Sequence, residues 1–150
     1  KLKKNEGYVP DLVINLRPTS PLRNFKMIKN AIEIMKSNPS VSSLKSIYES
    51  SKSPYKTWFK ESNNIINPIL THKEIDEAFN APRQVLPKTF DQTATIDIVK
   101  SSVIESGSMS GKKIMGMEID EKYIIDIDSI IDFKNAEIKM ASNPEDFITP

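Results

Sequence analysis

Ser20-Pro21-Leu22-Arg23-Asn24-Phe25-Lys26-Met27-Ile28-Lys29-Asn30-Ala31-Ile32-Glu33-Ile34-Met35 is the stretch on which the fold turns. The serine supplies an N-cap, and the proline has a fixed φ that suits a first helical turn. Leu22, Phe25, Ile28, Ile32 and Met35 recur every three or four residues, which predicts one apolar stripe on an amphipathic helix. Arg23, Lys26 and Lys29 fall off that stripe, so the exposed side is expected to be basic. Asn38-Pro39 ends the helix, because the residue before a proline is pushed out of helical geometry.

Upstream, residues 1–21 read as an extended Pro-rich arm. Lys1, Lys3 and Lys4 lead, and Pro10, Pro18 and Pro21 exclude a continuous helix. Leu12, Ile14 and Leu16 alternate with Val13 and Asn15, the pattern of a short edge strand with one apolar side to lay on a partner. Downstream, residues 22–80 read as a basic helical region. A second helix is expected over 41–50 with Leu44, Ile47 and Tyr48 inward. Ser53-Pro54 repeats the cap-plus-proline device and opens a third helix through Tyr55, Trp58 and Phe59. Thr71 with Glu74 three residues on predicts a capping box and a last helical turn to Phe79.

Residues 81–93, with Pro82 and Pro87, form the expected linker. Residues 94–150 change texture to an acidic, β-rich region. Thr95 to Glu105 is rich in β-branched residues, Gly107 to Gly111 is a turn, and 114–119 and 122–127 are strand candidates. Residues 129–141 fit either a helix capped by Ser129 with Asp132 or a hairpin turning at Asn135-Ala136. The expected fold is therefore α+β: an N-terminal arm and small helical bundle, then an antiparallel β-rich C-terminal half.

Composition narrows the chemistry. The 150 residues are 38% hydrophobic and 27% charged, enough for a packed core. With no cysteine and His72 as the single histidine, disulfides, thiolate metal sites and paired-histidine chemistry are excluded. Apolar runs such as Tyr123 to Ile127 fall far short of the roughly 20 residues that span a bilayer, so no membrane role is expected. No secretory leader is visible, and the expected location is the cytoplasm or a virion. The net charge of +1 hides a division: residues 1–60 balance to +8 and residues 61–150 to −7. Such asymmetry suits a polyanion partner for the basic half, or attraction between the halves within or between chains.

Three constellations bear on function. Residues 43–60 resemble a helix-turn-helix module, which implies nucleic-acid contacts from Lys52, Tyr55, Lys56 and Lys60 within the 22–60 region. Asp126 and Asp128 alternate and are expected to project from one face of a strand, close enough to share a hard cation. Asp128 followed by Glu137-Ile138-Lys139 is similar to the core motif of PD-(D/E)xK nucleases, which implies Asp128 and Glu137 as magnesium ligands and Lys139 as the catalytic lysine. The loop Gly107-Ser108-Met109-Ser110-Gly111 lacks the Gly-Lys-Ser/Thr ending of a phosphate loop and reads as a hairpin turn.

The first expectation is a non-enzymatic structural or assembly subunit, such as a bacteriophage virion component, without a cofactor or resident metal. It would hold other protein subunits as a homo- or hetero-oligomer through Leu12, Ile14 and Leu16 of the arm and through Trp58 and Phe59 of the aromatic cluster. The alternatives are a nucleic-acid-binding protein and a magnesium-dependent nuclease.

Overall fold

The computed structural model describes residues 5–147. The expected leading lysines Lys1, Lys3 and Lys4 and the tail Thr149-Pro150 lie outside them. The chain divides into two compact units, one made of residues up to Tyr48 and from Gln92 onward, the other of Glu49–Asp91. Helices and strands coexist, and the fold is α+β.

The first unit is built on a four-stranded mixed sheet in the order β1-β5-β2-β6. β1 (Leu12–Asn15) runs antiparallel to β5 (Phe90–Lys100), with Leu12 opposite Lys100 and Asn15 opposite Asp97. β2 (Ser43–Glu49) runs parallel to β6 (Ile114–Glu118), with Ser43 opposite Ile114 and Ile47 opposite Glu118. The sheet thus draws strands from both halves of the sequence and is not a purely antiparallel C-terminal structure. The two charge-segregated halves meet inside it: Lys45 Nζ of β2 lies 3.3 Å from Asp97 Oδ2 of β5.

Helix α1 (Phe25–Ser37) contributes to the core of this unit. Ala31 and Met35 are buried with Val41, Leu44, Ile96, Ile98 and Met117, and Leu12, Ile14, Ile28 and Ile32 pack around them. The helix begins four residues later than Ser20-Pro21 suggested. Asn24 is its N-cap and accepts from Met27 N at 2.9 Å, so Leu22 is buried ahead of the helix and Phe25 stays exposed. Residues 41–50 are a strand instead of the expected second helix. Ser43, Leu44 and Ser46 are all buried, so both faces of β2 are covered and no alternation marks it as a strand.

The arm carries the expected short edge strand, β1. Leu12 and Ile14 pack against the core of their own chain through β1; only Leu16, beyond the strand, is exposed. After β5 comes a short helix, α2 (Ser101–Glu105), and then the expected glycine turn, with Gly107 and Gly111 at φ 84° and 69°. A Cβ at Gly111 would stand 2.5 Å from the Ser42 Cβ, so chain approach and backbone conformation both demand glycine there. β6 matches the expected strand at 114–119. Residues 122–127 are not a strand: a single 3-10 turn, Glu121–Tyr123, leads into irregular chain. The ambiguous segment is helix α3 (Ile130–Ser142), closed by a capping box between Ser129 and Asp132. A last turn, α4 (Pro144–Phe147), follows.

The second unit holds little regular structure. β3 (Trp58–Lys60) and β4 (Ile66–Pro68) form an antiparallel hairpin, with Trp58 opposite Pro68 and Lys60 opposite Ile66. The expected third helix is reduced to a 3-10 turn, Pro54–Lys56, because Thr57 is extended and feeds directly into β3. The expected helix over 71–79 is absent. Glu74 N donates to the His72 imidazole and not to a Thr71 cap, and Glu77 adopts a positive φ of 46° that a helix does not contain. The expected linker contains another 3-10 turn, Arg83–Val85, and the start of β5. Among the described residues, no helix is long and apolar enough to cross a membrane.

Candidate functional site

The second unit contains a cavity of about 240 Å³ between the chain leaving β2 and the Pro82–Thr89 return. Three cationic side chains, Lys52, Arg83 and Lys88, line it against one carboxylate, Glu49. Two prolines fix the local backbone: Pro82 precedes the Arg83–Val85 turn, and Pro87 follows Leu86, which is buried. Arg83 Nη2 donates to the Ser50 carbonyl, which orients the guanidinium and commits one of its five N–H groups. Lys88 Nζ pairs with Glu49 Oε2 at 2.7 Å. Ser50 N donates to Thr89 O at 2.8 Å, and Ser50 Oγ to Lys52 O at 2.8 Å, so the rim is held by its own backbone. Ser53 Oγ is buried without a hydrogen-bond partner, and Gln84 adds an amide to the lining. A guanidinium, an ammonium and an amide around a small cavity suit a carboxylate or phosphate.

A second polar cluster lies in the first unit, where the loop after β1 meets the chain before α3. Arg23 Nη1 donates to Ser20 O at 2.6 Å, Arg17 O at 3.0 Å and Thr95 O at 3.3 Å. Partial burial lowers the Arg23 pKa from its ordinary value. The Ser20 and Thr95 hydroxyls nearby are buried without partners. Ile127 N donates to Thr19 O at 2.8 Å, which ties the acid-bearing segment to this loop. Asp126 and Asp128 flank that tie, exposed on irregular chain and not on a strand.

The sequence-derived candidates disperse. Tyr55 packs edge-on against His72 at 5.5 Å, and Lys56 Nζ donates to Phe79 O at 3.0 Å, whereas Lys52 lines the cavity. Lys60 ends β3. Because 43–60 contains a strand and a 3-10 turn, the two helices that a helix-turn-helix needs are missing there. Trp58 packs on Phe79 at 4.8 Å, while Phe59, on the other face of the hairpin, is 63% exposed. Glu137 and Lys139 lie on α3 and not on a strand. Two positions apart on a helix, they point about 200° from each other and do not share a site. Lys139 Nζ is instead bound to the Ile124 carbonyl at 2.9 Å. Among the described residues, no group of three or more His, Cys, Asp or Glu side chains could hold a metal ion. Sequence reading missed Arg83 and Gln84; the one signal for them was a basic residue bracketed by two prolines.

No protein-family model and no curated protein matches the chain. Among solved structures, the chain is similar to CMP:2-keto-3-deoxy-manno-octonic acid synthetase complexed with CTP, with a TM-score of 0.59 and 13% sequence identity. The likeness covers 95% of this chain and 65% of that one, so this chain spans about two-thirds of the length of the structure it matches. At that identity the two share a fold.

Proposed function

We propose that this chain is an enzyme that joins an acidic sugar to a nucleotide. The observation that carries the reading is the cavity lined by Lys52, Arg83 and Gln84, whose donors suit the carboxylate of a sugar acid. The reaction class comes from the fold likeness to a synthetase bound to CTP and named for an octonic acid. In such a transfer a sugar oxygen attacks the α-phosphorus, a P–O bond forms, pyrophosphate leaves and the sugar hydroxyl gives up its proton.

The test is titration calorimetry of the chain with 2-keto-3-deoxy-manno-octonic acid and related sugar acids, with and without CTP. Arg83→Ala is expected to weaken sugar-acid binding by about tenfold or more, the loss typical of a charge-assisted hydrogen bond. Its melting temperature serves as the control for the lost Ser50 contact. Equal binding by the variant and the unaltered chain would remove the cavity from the reading.

The assembly role stands beside this as a second reading, favoured by the hairpin surface. Phe59, Ile65, Ile66 and Ile69 are exposed around a two-stranded sheet, a structure that alone is marginal in water. A second copy of this chain packing on that surface would bury them. Light scattering on an eluting peak gives the mass; a dimer that Phe59→Asp converts to monomer supports the reading, and a monomer at high concentration removes it.

A further inference from the structure

The chain between β6 and α3 contains one regular element, the Glu121–Tyr123 turn, yet it carries Asp126 and Asp128. No strand ladder holds it. Ile127 N reaches Thr19 O at 2.8 Å, and Lys139 Nζ reaches Ile124 O at 2.9 Å. Asn24 Nδ2 donates to the Tyr123 hydroxyl at 3.3 Å, while the same residue caps α1 through its Oδ1. From α3, Lys139 Nζ also donates to Glu121 O at 3.4 Å and Asp132 Oδ2 accepts from Asp128 N at 3.3 Å, so the C-terminal turn α4 adds its contacts at the Lys122–Tyr123 end. Lys122 Nζ donates to Asp146 Oδ2 at 2.6 Å and lies 4.9 Å from the Tyr123 ring centroid. The Phe147 ring meets Tyr123 edge-to-face, with centroids 6.0 Å apart and planes at 78°.

We propose that α4 is a strap, in which Asp146 and Phe147 hold the Lys122–Tyr123 turn and thereby fix the backbone of residues 121–128. Four residues do not sustain a helix by themselves, so α4 depends on the same contacts it provides. Each contact is individually weak: an exposed ion pair contributes little, and a single aromatic pair not much more. The strap therefore opens locally without unfolding the sheet. Asp146 and Phe147 act through the order of residues 121–128, by way of Lys122 and Tyr123.

Hydrogen–deuterium exchange on the full chain tests it. Asp146→Asn with Phe147→Ala is expected to speed amide exchange across 121–128 by about fivefold or more, while β5 and α1 keep their rates. The charge swap Lys122→Asp with Asp146→Lys is expected to recover most of the protection that Asp146→Lys alone removes. Unchanged exchange at 121–128 in the first variant overturns the strap. So does acceleration spread equally over β5, which would make these residues props of the whole unit. A swap no better protected than Asp146→Lys alone overturns the role of the ion pair.

Discussion

Ser46 sits fully buried in β2, and its hydroxyl joins Thr93 Oγ1 at 2.6 Å while accepting from Ile96 N at 3.0 Å. A backbone N–H of β5 is thus satisfied by a side chain. Ser46→Ala leaves that N–H and the Thr93 hydroxyl short of partners in the interior, and is expected to cost about 1–3 kcal/mol in chemical denaturation. Replacing an exposed serine such as Ser51 should cost almost nothing by the same measure. Residues like Ser46 were illegible in sequence. A serine between Lys45 and Ile47 reads as surface, and only the neighbouring strands make it interior. Arg83 was hidden for a related reason: its partner is the carbonyl of Ser50, 33 positions away.

At the scale of elements, legibility followed local chemistry. The apolar spacing from Ile28 to Met35 announced α1, and Ser129 with Asp132 announced one of two outcomes for α3; each signal lies within a few residues of what it specifies. β2 gave no such signal because cover on both faces erases the period-2 pattern. Ser53-Pro54 misled because a proline suits a 3-10 turn as well as a helix. The α3 cap yields two expectations. Ser129→Ala should cost about 1 kcal/mol of helix stability, read as faster amide exchange in the first turn. Asp132 also accepts from the Ser129 hydroxyl at 2.7 Å, and that bond, with backbone N–H groups of Asp128 and Ser129, lowers its pKa below 3.8. The folded carboxylate is the stronger acid, so its stabilisation is complete above about pH 4 and fades as pH falls through the lower folded value. Thermal melting should separate Asp132→Asn from the unaltered chain at pH 7 and bring the two together in strong acid.

Across the whole molecule, the segregation of charge along the sequence is partly resolved by pairing inside the fold, since Lys45 of the basic half meets Asp97 of the acidic half. Apolar side chains also point outward, on the hairpin around Phe59 and on α3 at Ile130, Ile131 and Ile138. The course of the chain has one more consequence. Lys100 N bonds to Ser42 O at one end of β2 and β5, and Ser50 N bonds to Thr89 O at the other, so these neighbours run antiparallel. Everything from Ser51 to Lys88 leaves and returns through a gap one hydrogen bond wide. To the sheet, that entire excursion is equivalent to a hairpin turn. Its length is nearly free to vary, because the entropy of closing a loop grows only with the logarithm of its size. Material can be exchanged, lengthened or trimmed at that gate while β2 and β5 keep their register, which makes the second unit the part of this architecture most open to being rewritten.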